Sequence, residues 1–133
     1  MIGTRISSGS KFEEIASYSR VAVVPDPGGD WLFVSGTTGF DYATMKISED
    51  VEEQTRQIFR NIGQALEKAG ASLDNVVRIR AFLVRPEDFS KVAAVVGKSM
   101  KGAMPANTTV VAGMIDPRML IEIEVTARKP PAQ

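Results

Sequence analysis

The sequence predicts an α+β fold, in which two helices pack against one face of a single sheet. Two stretches carry apolar residues at helical spacing, and several others alternate apolar and polar residues as half-buried strands do. Turn-forming residues separate these stretches, and no repeat or linker divides the chain. For this length we expect a single domain over residues 1–133.

The first part of the chain has the composition of strands and turns. The stretches "SRVAVV" (19–24) and "WLFVSGT" (31–37) predict two strands, and the turn-rich "PDPGGD" (25–30) joins them. A short strand over Thr4–Ser7 fits the same pattern. The stretch "SGTTGFDYATMKI" (35–47) then predicts an irregular connection.

Two helices are predicted in the middle of the chain. The first covers 51–69, where Asp50 caps the first amides and Gly70 follows the last turn. The second begins with Pro86 in its first position and ends at Gly102. Its residues expected to face inward are Phe89, Val92, Ala93, Val96 and Met100.

Three further strands complete the predicted fold. The stretch "NVVRIRAFLV" (75–84) separates the two helices, and "NTTVVAG" (107–113) and "LIEIEVTARK" (120–129) follow the second helix. With the short N-terminal strand included, the order of elements is β-β-β-α-β-α-β-β. This order predicts one sheet and two helices rather than a regular alternation of strands and helices.

The predicted sheet has two faces, and two helices can cover only one of them. If no strand contains a β-bulge, one face is entirely apolar and belongs under the helices. Its residues are Val21, Val23, Leu32, Val34, Val77, Ile79, Ala81, Leu83, Val110, Ile121, Ile123 and Val125. The other face holds Trp31, Phe33, Ser35, Arg78, Arg80, Phe82, Val84, Asn107, Thr109, Val111, Glu122 and Glu124. This mixture of large apolar and polar side chains indicates a homo-oligomer, with polar clefts between its subunits.

The composition disfavours several kinds of chemistry. Sixteen basic and sixteen acidic residues cancel, so neither nucleic acid nor a membrane surface is an expected partner. Because the chain lacks cysteine and histidine, we expect neither a metal nor another cofactor. The N-terminus is too polar for a signal peptide and no apolar run reaches about 18 residues, so a cytoplasmic location is expected.

The stretch "LIEIEVTA" (120–127) places two glutamates on the mixed face. A carboxylate beside apolar side chains is disfavoured in its charged form, which raises its pKa and suits it to proton transfer near neutral pH. Glu122 is therefore a candidate catalytic residue. The alternative left open by the residues is an ion pair of Glu122 or Glu124 with Arg78 or Arg80 on the same face.

Several motifs, taken in order, resemble those of the RidA (YjgF) family. They are "YSR" (18–20), "LFVSG" (32–36), "QTRQIFRNIGQAL" (54–66), "AGASLDNVV" (69–77) and "IEIE" (121–124). The resemblance implies a chorismate-mutase-like α+β fold and a homotrimer with a small-molecule cleft between subunits. It also implies hydrolysis of reactive enamine or imine intermediates, such as 2-aminoacrylate, to keto acids and ammonia.

The same resemblance assigns site residues by their positions in this chain. Tyr18 matches a cleft tyrosine, and Ser35 and Gly36 match residues that contact ligand. Glu122 matches the glutamate that positions or activates the attacking water. Glu124 is then expected to be structural.

One position departs from the family pattern. Imine-hydrolysing members carry Pro-Ala-Arg after the second helix, and that arginine grips the substrate carboxylate, whereas this chain reads "MPANTTV" with Asn107 in its place. Asparagine lacks the charged, bidentate fork of arginine, and a charge-assisted hydrogen bond is worth about 1.5–3 kcal/mol. The chain thus resembles an arginine-less branch of the reactive intermediate deaminase superfamily. The Asn107 amide can donate to a carbonyl or amide oxygen, which instead favours a neutral polar substrate, and Thr108 is expected to help shape the pocket.

Three other arginines are candidates for binding a ligand carboxylate. Arg20 is close to Tyr18 in the sequence, Arg80 lies on the predicted cleft face, and Arg118 directly precedes the last strand. Each arginine can equally form a structural ion pair, since an isolated arginine is not a motif.

Three functions follow from these observations, in this order. The first is a homotrimer that binds a small metabolite and hydrolyses or deaminates imine or enamine-type intermediates. The second is a trimer that binds a small metabolite without turning it over. The third, an endoribonuclease or translation inhibitor, is disfavoured by the neutral charge and the lack of a basic groove.

Overall fold

Within residues 1–131, which the computed structural model describes, the chain forms eight strands and three helices. In chain order they are β1 (Thr4–Ile6), α1 (Lys11–Ala16), β2 (Val21–Val24), β3 (Trp31–Thr38), β4 (Phe40–Asp41), β5 (Lys46–Ile47), α2 (Val51–Lys68), β6 (Val76–Leu83), α3 (Phe89–Ser99), β7 (Ala106–Val111) and β8 (Ile121–Arg128). Short 3₁₀ turns at Leu73–Asn75 and Pro86–Asp88 precede β6 and α3.

Six of the strands form one mixed sheet with the order β1-β2-β3-β8-β6-β7. Neighbouring strands are antiparallel except β6 and β7, which are parallel because α3 carries the chain back between them. The strands β4 and β5 form a separate hairpin. The predicted α+β fold, a mixed sheet with two main helices, is confirmed.

The long helix α2 forms where apolar residues recur at helical spacing. Ile58 and Leu66 are fully buried in the core that the helix shares with the sheet. The Asp50 side chain accepts a hydrogen bond from the Glu53 amide and so caps the first turn. The chain leaves the helix at Gly70, whose φ of +77° is readily adopted by glycine.

The core lies between α2, α3 and one face of the sheet. The sheet residues in it are Val21, Val23, Leu32, Val34, Val76, Ile79, Ala81, Leu83, Ile121, Ile123, Val125 and Ala127. Full burial of a side chain such as valine, leucine or isoleucine stabilises the fold by about 1.5–3 kcal/mol. The predicted apolar face is confirmed apart from Val77 and Val110.

Val77 and Val110 are exposed, and their placement in the core was wrong for two different reasons. The register of β6 shifts between Val76 and Arg78, so Val76 turns into the core in place of Val77. On β7, Val110 pairs with Phe82 and therefore shares the opposite face. The run "NTTVV" has no apolar–polar alternation from which the phase of β7 can be deduced.

The shorter local elements also differ from the prediction. Helix α1 was not predicted, and the β4–β5 hairpin lies in a segment expected to be irregular. The second predicted helix starts at Phe89 rather than Pro86, because Pro86–Asp88 form a 3₁₀ turn. Phe89 is exposed, so its expected inward orientation is wrong.

Candidate functional site

The sheet face opposite α2 and α3 is not covered by any helix of the described chain. On this open face Phe33 of β3 and Val110 of β7 are 47% and 45% exposed. The open face is defined by the outward residues of β3, β8, β6 and β7, which are Phe33, Arg78, Arg80, Phe82, Thr108, Val110, Glu122, Glu124 and Thr126. It combines exposed apolar side chains with carboxylates and arginines, as predicted for the mixed face.

A concavity of about 670 Å³ lies beside the open face. Its lining includes Tyr18, Phe33, Ser35 and Glu124. The Ser35 hydroxyl donates a 2.6 Å hydrogen bond to the Ser19 carbonyl, which fixes its orientation. The structure thus brings together Tyr18 and Ser35, two of the predicted site residues.

Tyr18 contributes a neutral hydrogen-bonding group to this concavity. Burial raises the pKa of its phenol above the ordinary value, and the nearby Arg20 charge offsets part of that rise. The hydroxyl therefore keeps its proton at neutral pH and can both donate and accept a hydrogen bond.

Glu122 lies on the open face in β8, between β3 and β6. Its carboxyl group packs against Gly36, where an added Cβ would lie only 2.8 Å from the Cδ atom of Glu122. Burial raises the pKa of Glu122, the like charge of Glu124 raises it further, and Arg20 lowers it in part. A raised pKa makes a carboxylate a stronger proton acceptor, which suits Glu122 to acid–base chemistry.

Glu124 forms the ion pair that the sequence left as an alternative. The Oε1 atom of Glu124 lies 3.3 Å from Nη1 of Arg80 on the neighbouring strand. Both side chains are exposed to solvent, so the pair contributes about 0–1 kcal/mol to stability. Within one chain the Glu124 carboxylate and the Arg80 guanidinium are thus already paired with each other.

Arg20 is buried beneath Gly36 and does not line the concavity that contains Tyr18 and Ser35. Its side chain is 1% exposed, and Nη1 donates to the Gly36 carbonyl at 2.8 Å and to the Thr37 hydroxyl at 3.1 Å. Its Nη2 atom lies 3.4 Å from a carboxylate oxygen of Glu13. The structure thus supports the alternative of a structural ion pair for Arg20 over direct contact with a ligand.

Glu13 was missed by the sequence prediction. It is buried in α1, and Ser7 and Ser8 donate hydrogen bonds to its carboxylate. A signal for the helix is present in the sequence, because "SKFE" (10–13) has the Ser-x-x-Glu spacing of a capping box. In the structure Ser10 does cap α1, whereas Glu13 points to Arg20 instead of back to Ser10.

Arg118 lies at a different place on the surface. Its guanidinium forms two hydrogen bonds to Asp116, at 3.1 Å and 2.8 Å, and stacks 5.0 Å from the Phe40 ring centre. These hydrogen bonds hold the pKa of Asp116 at about 2. Arg118 lines a separate concavity of about 750 Å³ together with Lys46 and Arg85. Within one chain it is not brought to Tyr18 and the other predicted site residues.

Asn107 and Thr108 point to opposite faces of the sheet. Thr108 pairs with Arg80 and lies on the open face, but Asn107 pairs with Ile79 and lies on the helix-covered side. The prediction that Asn107 shares a face with Glu122 is therefore wrong within one chain. The parallel register of β6 and β7 sets this arrangement, and the sequence contains no signal for it.

Two kinds of feature are absent from the residues that the structure describes. Residues 1–131 contain no cluster of three or more Asp or Glu side chains that could hold a metal ion. In the same part of the chain no helix is long and apolar enough to cross a membrane.

Fold and site together define a class of small α+β protein with an open sheet face. This face carries the half-buried Glu122 carboxylate, and a concavity of small-molecule size lined by Tyr18 and Ser35 lies beside the face. A sequence model of the family described as Endoribonuclease L-PSP matches residues 8–129. A RutC family protein of Pyrococcus abyssi is 34% identical over 116 residues, which cover 86% of this chain and 88% of that protein. Reactive Intermediate Deaminase A of the Arabidopsis thaliana chloroplast is 30% identical over 129 residues, covering 92% of this chain and 69% of that protein.

Solved structures give the same assignment. A YjgF/YER057c/UK114 family member from Mycobacterium tuberculosis has a TM-score of 0.82 at 35% identity, covering 94% of this chain and 98% of that one. RidA from an Antarctic Psychrobacter has a TM-score of 0.76 at 26% identity, covering 96% of this chain and 93% of that one. The chain belongs to the RidA (YjgF) family.

Proposed function

We propose that this protein hydrolyses imine or enamine-type intermediates to carbonyl compounds and ammonia, in clefts between the subunits of a homotrimer. The observation that carries the proposal is the Glu122 carboxylate, which is half-buried, has a raised pKa and packs against Gly36. The concavity lined by Tyr18 and Ser35 supports a small substrate. The 30% identity to a plant protein named Reactive Intermediate Deaminase A supports the reaction class.

In the proposed reaction, the water oxygen bonds to the imine carbon while Glu122 accepts one of the water protons. Glu122 returns this proton to the nitrogen, which gives a carbinolamine. The C–N bond then breaks, and the hydroxyl proton moves to the departing nitrogen as the carbonyl forms. An imine and one water thus yield a carbonyl compound and ammonia; an enamine first takes up a proton on carbon and loses one from nitrogen.

The substrate in this proposal is neutral and polar where it meets Asn107. An asparagine amide can donate to a carbonyl or amide oxygen but carries no charge for a carboxylate. Because Asn107 and Glu122 lie on opposite faces of one sheet, an Asn107 that takes part must come from a neighbouring subunit. The site is therefore proposed to be complete only in the oligomer.

The test is ammonia release from imines generated in solution by enzymatic oxidation of amino acids and of amino acid amides and esters, with neutral and charged side chains. Wild-type protein is expected to accelerate ammonia release above the uncatalysed rate, most strongly for imines whose carboxylate is masked as an amide or ester. If wild-type protein accelerates none of the imines on the panel, the proposed reaction is wrong.

The variant Asn107→Arg should gain activity toward imines with a free carboxylate. The new guanidinium can pair bidentately with the carboxylate, and a charge-assisted contact corresponds to about a tenfold gain in kcat/KM or more. The measurement is kcat/KM for ammonia release with carboxylate and amide substrates. Asn107→Ala, which removes the amide without adding charge, should show no such gain, and an equal gain in both variants would contradict the carboxylate contact.

Sedimentation at micromolar concentration should give about three times the 14.4 kDa mass of one chain. The reason is that the exposed apolar residues of the open face need a partner surface. Val110→Glu places a charge in that surface and should shift the protein toward monomer. Phe89→Glu is the matched control, because Phe89 is exposed at the start of α3, and a wild-type monomer would contradict the trimer.

A trimer that binds a small metabolite without turnover is the second candidate. It is favoured by Asn107, because this asparagine replaces the arginine with which imine-hydrolysing relatives are expected to bind the substrate carboxylate. Titration calorimetry distinguishes the two candidates. A ligand that binds wild type and Glu122→Ala equally, without ammonia release from any imine, would support binding alone.

A further inference from the structure

A buried ion pair lies on the inner side of the Glu122 site. Arg20 and Glu13 are 1% and 4% exposed, and Arg20 Nη2 lies 3.4 Å from a Glu13 oxygen. Ser7 and Ser8 donate further hydrogen bonds to the Glu13 carboxylate. Apolar residues of similar volume often stabilise a core as well as a buried ion pair does. The pair therefore calls for an explanation other than stability.

The cation of this pair contacts an irregular point in β3. Regular pairing of β3 with β8 is interrupted between Val34 and Thr37. There Arg20 Nη1 donates to the Gly36 carbonyl at 2.8 Å, and the Ser35 amide donates to the Arg20 carbonyl at 2.9 Å. Hydrogen bonds with Arg20, one donated and one accepted, thus satisfy backbone groups of Gly36 and Ser35 where the regular ladder is broken.

Gly36 is also the residue against which the Glu122 carboxyl group packs. A Cβ at residue 36 would lie 2.8–3.1 Å from the carboxyl atoms of Glu122. A displacement of the Gly36 backbone would therefore change the surface on which the carboxyl group rests. We propose that Arg20 is a positioning residue: held by Glu13, it fixes the Gly36 backbone and thereby the placement and electrostatic surroundings of Glu122. This inference rests on the role proposed above for Glu122.

Two charges act on Glu122, those of Glu124 and Arg20. Burial and the like charge of Glu124 on β8 raise the pKa of Glu122, and Arg20 just before β2 lowers it. Arg80 on β6 is paired with Glu124 at 3.3 Å. The residues that pair directly with Glu122 on β3 and β6 are a threonine and a phenylalanine, which carry no charge. Removing Arg20 thus removes the cation that favours the ionised form.

The test is a titration of the Glu122 carboxyl carbon by NMR in the full-length protein. The double variant Glu13→Gln with Arg20→Gln removes both buried charges, so neither is left unpaired. Its Glu122 midpoint should move to higher pH, while Arg20→Lys, which keeps the cation, should stay closer to wild type. The exposed pair on α2 supplies the control, because Glu53→Gln with Arg60→Gln removes the same charges and should leave the midpoint unchanged.

A midpoint that is the same in the double variant and in wild type would overturn the proposal. If the double variant does not fold, Glu13→Gln alone decides the question. This variant keeps the Arg20 cation without its counter-charge, so the Glu122 midpoint should move to lower pH, and an unmoved midpoint would again overturn the proposal.

Kinetics separate this role from simple stabilisation. In the double variant the pH profile of kcat should shift to higher pH with Glu122, with KM nearly unchanged, whereas a purely structural loss would lower the melting temperature alone. The NMR titration needs no substrate, so it decides the role of Arg20 even if no imine is hydrolysed. If the wild-type enzyme is active but its Glu122 midpoint is the same with and without Arg20, the proposed function stands and this inference is refuted.

Discussion

Glu122→Gln should lower kcat/KM for ammonia release by about 10²–10⁴-fold, which is the usual contribution of a general acid–base residue. Glutamine keeps the size and shape of the side chain against Gly36, but its amide cannot accept the proton of the attacking water. The measurement is the rate of ammonia release with the imine that wild type hydrolyses best. The substrate KM should change little, because the loss concerns the transition state rather than substrate binding.

The pH dependence of the wild-type rate provides a second readout of the same carboxylate. As a base Glu122 acts only when ionised, and burial together with Glu124 raises its pKa. The value of kcat/KM should therefore rise with pH through this raised pKa and level off above it. Glu122→Gln should remove this rise along with most of the rate.

Glu124→Gln is the matched control for the loss of rate. Glu124 lies two residues away on the same strand and is exposed, with its carboxylate paired to Arg80. Its replacement should leave most of the activity and change stability by less than about 1 kcal/mol. It should also lower the pKa of Glu122, because one like charge is removed. If Glu122→Gln keeps the rate of an active wild type, another group handles the water.

Strand β8 shows what a sequence of this kind can predict. Its residues from Ile121 to Arg128 alternate strictly between buried and partly exposed, because the strand is central and one of its faces packs on the core. The same alternation that predicted the core residues also placed Glu122 and Glu124 on the open face. Which of the two would be ion-paired depended on the register with β6, and only the structure supplies that register.

The misplaced residues have physical causes that a single sequence does not reveal. Strand β7 is an edge strand whose phase follows from parallel pairing with β6, so Asn107 turned out to lie on the side opposite Glu122. Arg20 was an ambiguous candidate because its partner Glu13 lies in a short helix with little periodicity. Contacts between residues far apart in the sequence therefore decided which predicted residues meet at the site and which lie beneath it.

Arg20→Met should lower the free energy of unfolding by about 3–5 kcal/mol, because it leaves the buried Glu13 carboxylate without its charge partner. Methionine fills much of the volume of the arginine side chain, so the loss reports mainly the unpaired charge. The measurement is urea unfolding at neutral pH, with all variants at one protein concentration, since assembly shifts apparent stability. Adding Glu13→Gln to Arg20→Met should recover part of the loss.

The control for this prediction is Arg60→Met, which breaks an exposed pair with Glu53 whose side chains are 50% and 41% exposed. Its cost should stay below about 1 kcal/mol, because solvent screens both charges. If Arg20→Met and Arg60→Met lose the same free energy of unfolding, burial is not the reason that the Arg20–Glu13 pair contributes to stability.

Acid provides an independent check on the same pair, because the pKa of Glu13 is below its ordinary value in the folded protein. Burial alone would raise that pKa, but the hydrogen bonds from Ser8 and Ser7 and the charge of Arg20 outweigh burial. A lowered folded pKa gives stability that is present above the ordinary carboxyl pKa of about 4.3 and is lost as pH falls through the folded value. Wild type should therefore lose stability as the pH falls below the ordinary carboxyl pKa and through the lowered folded pKa of Glu13. In Arg20→Met this loss should be smaller, since protonation there relieves an unpaired buried charge, and parallel curves for the two proteins would mean that Arg20 does not act on Glu13.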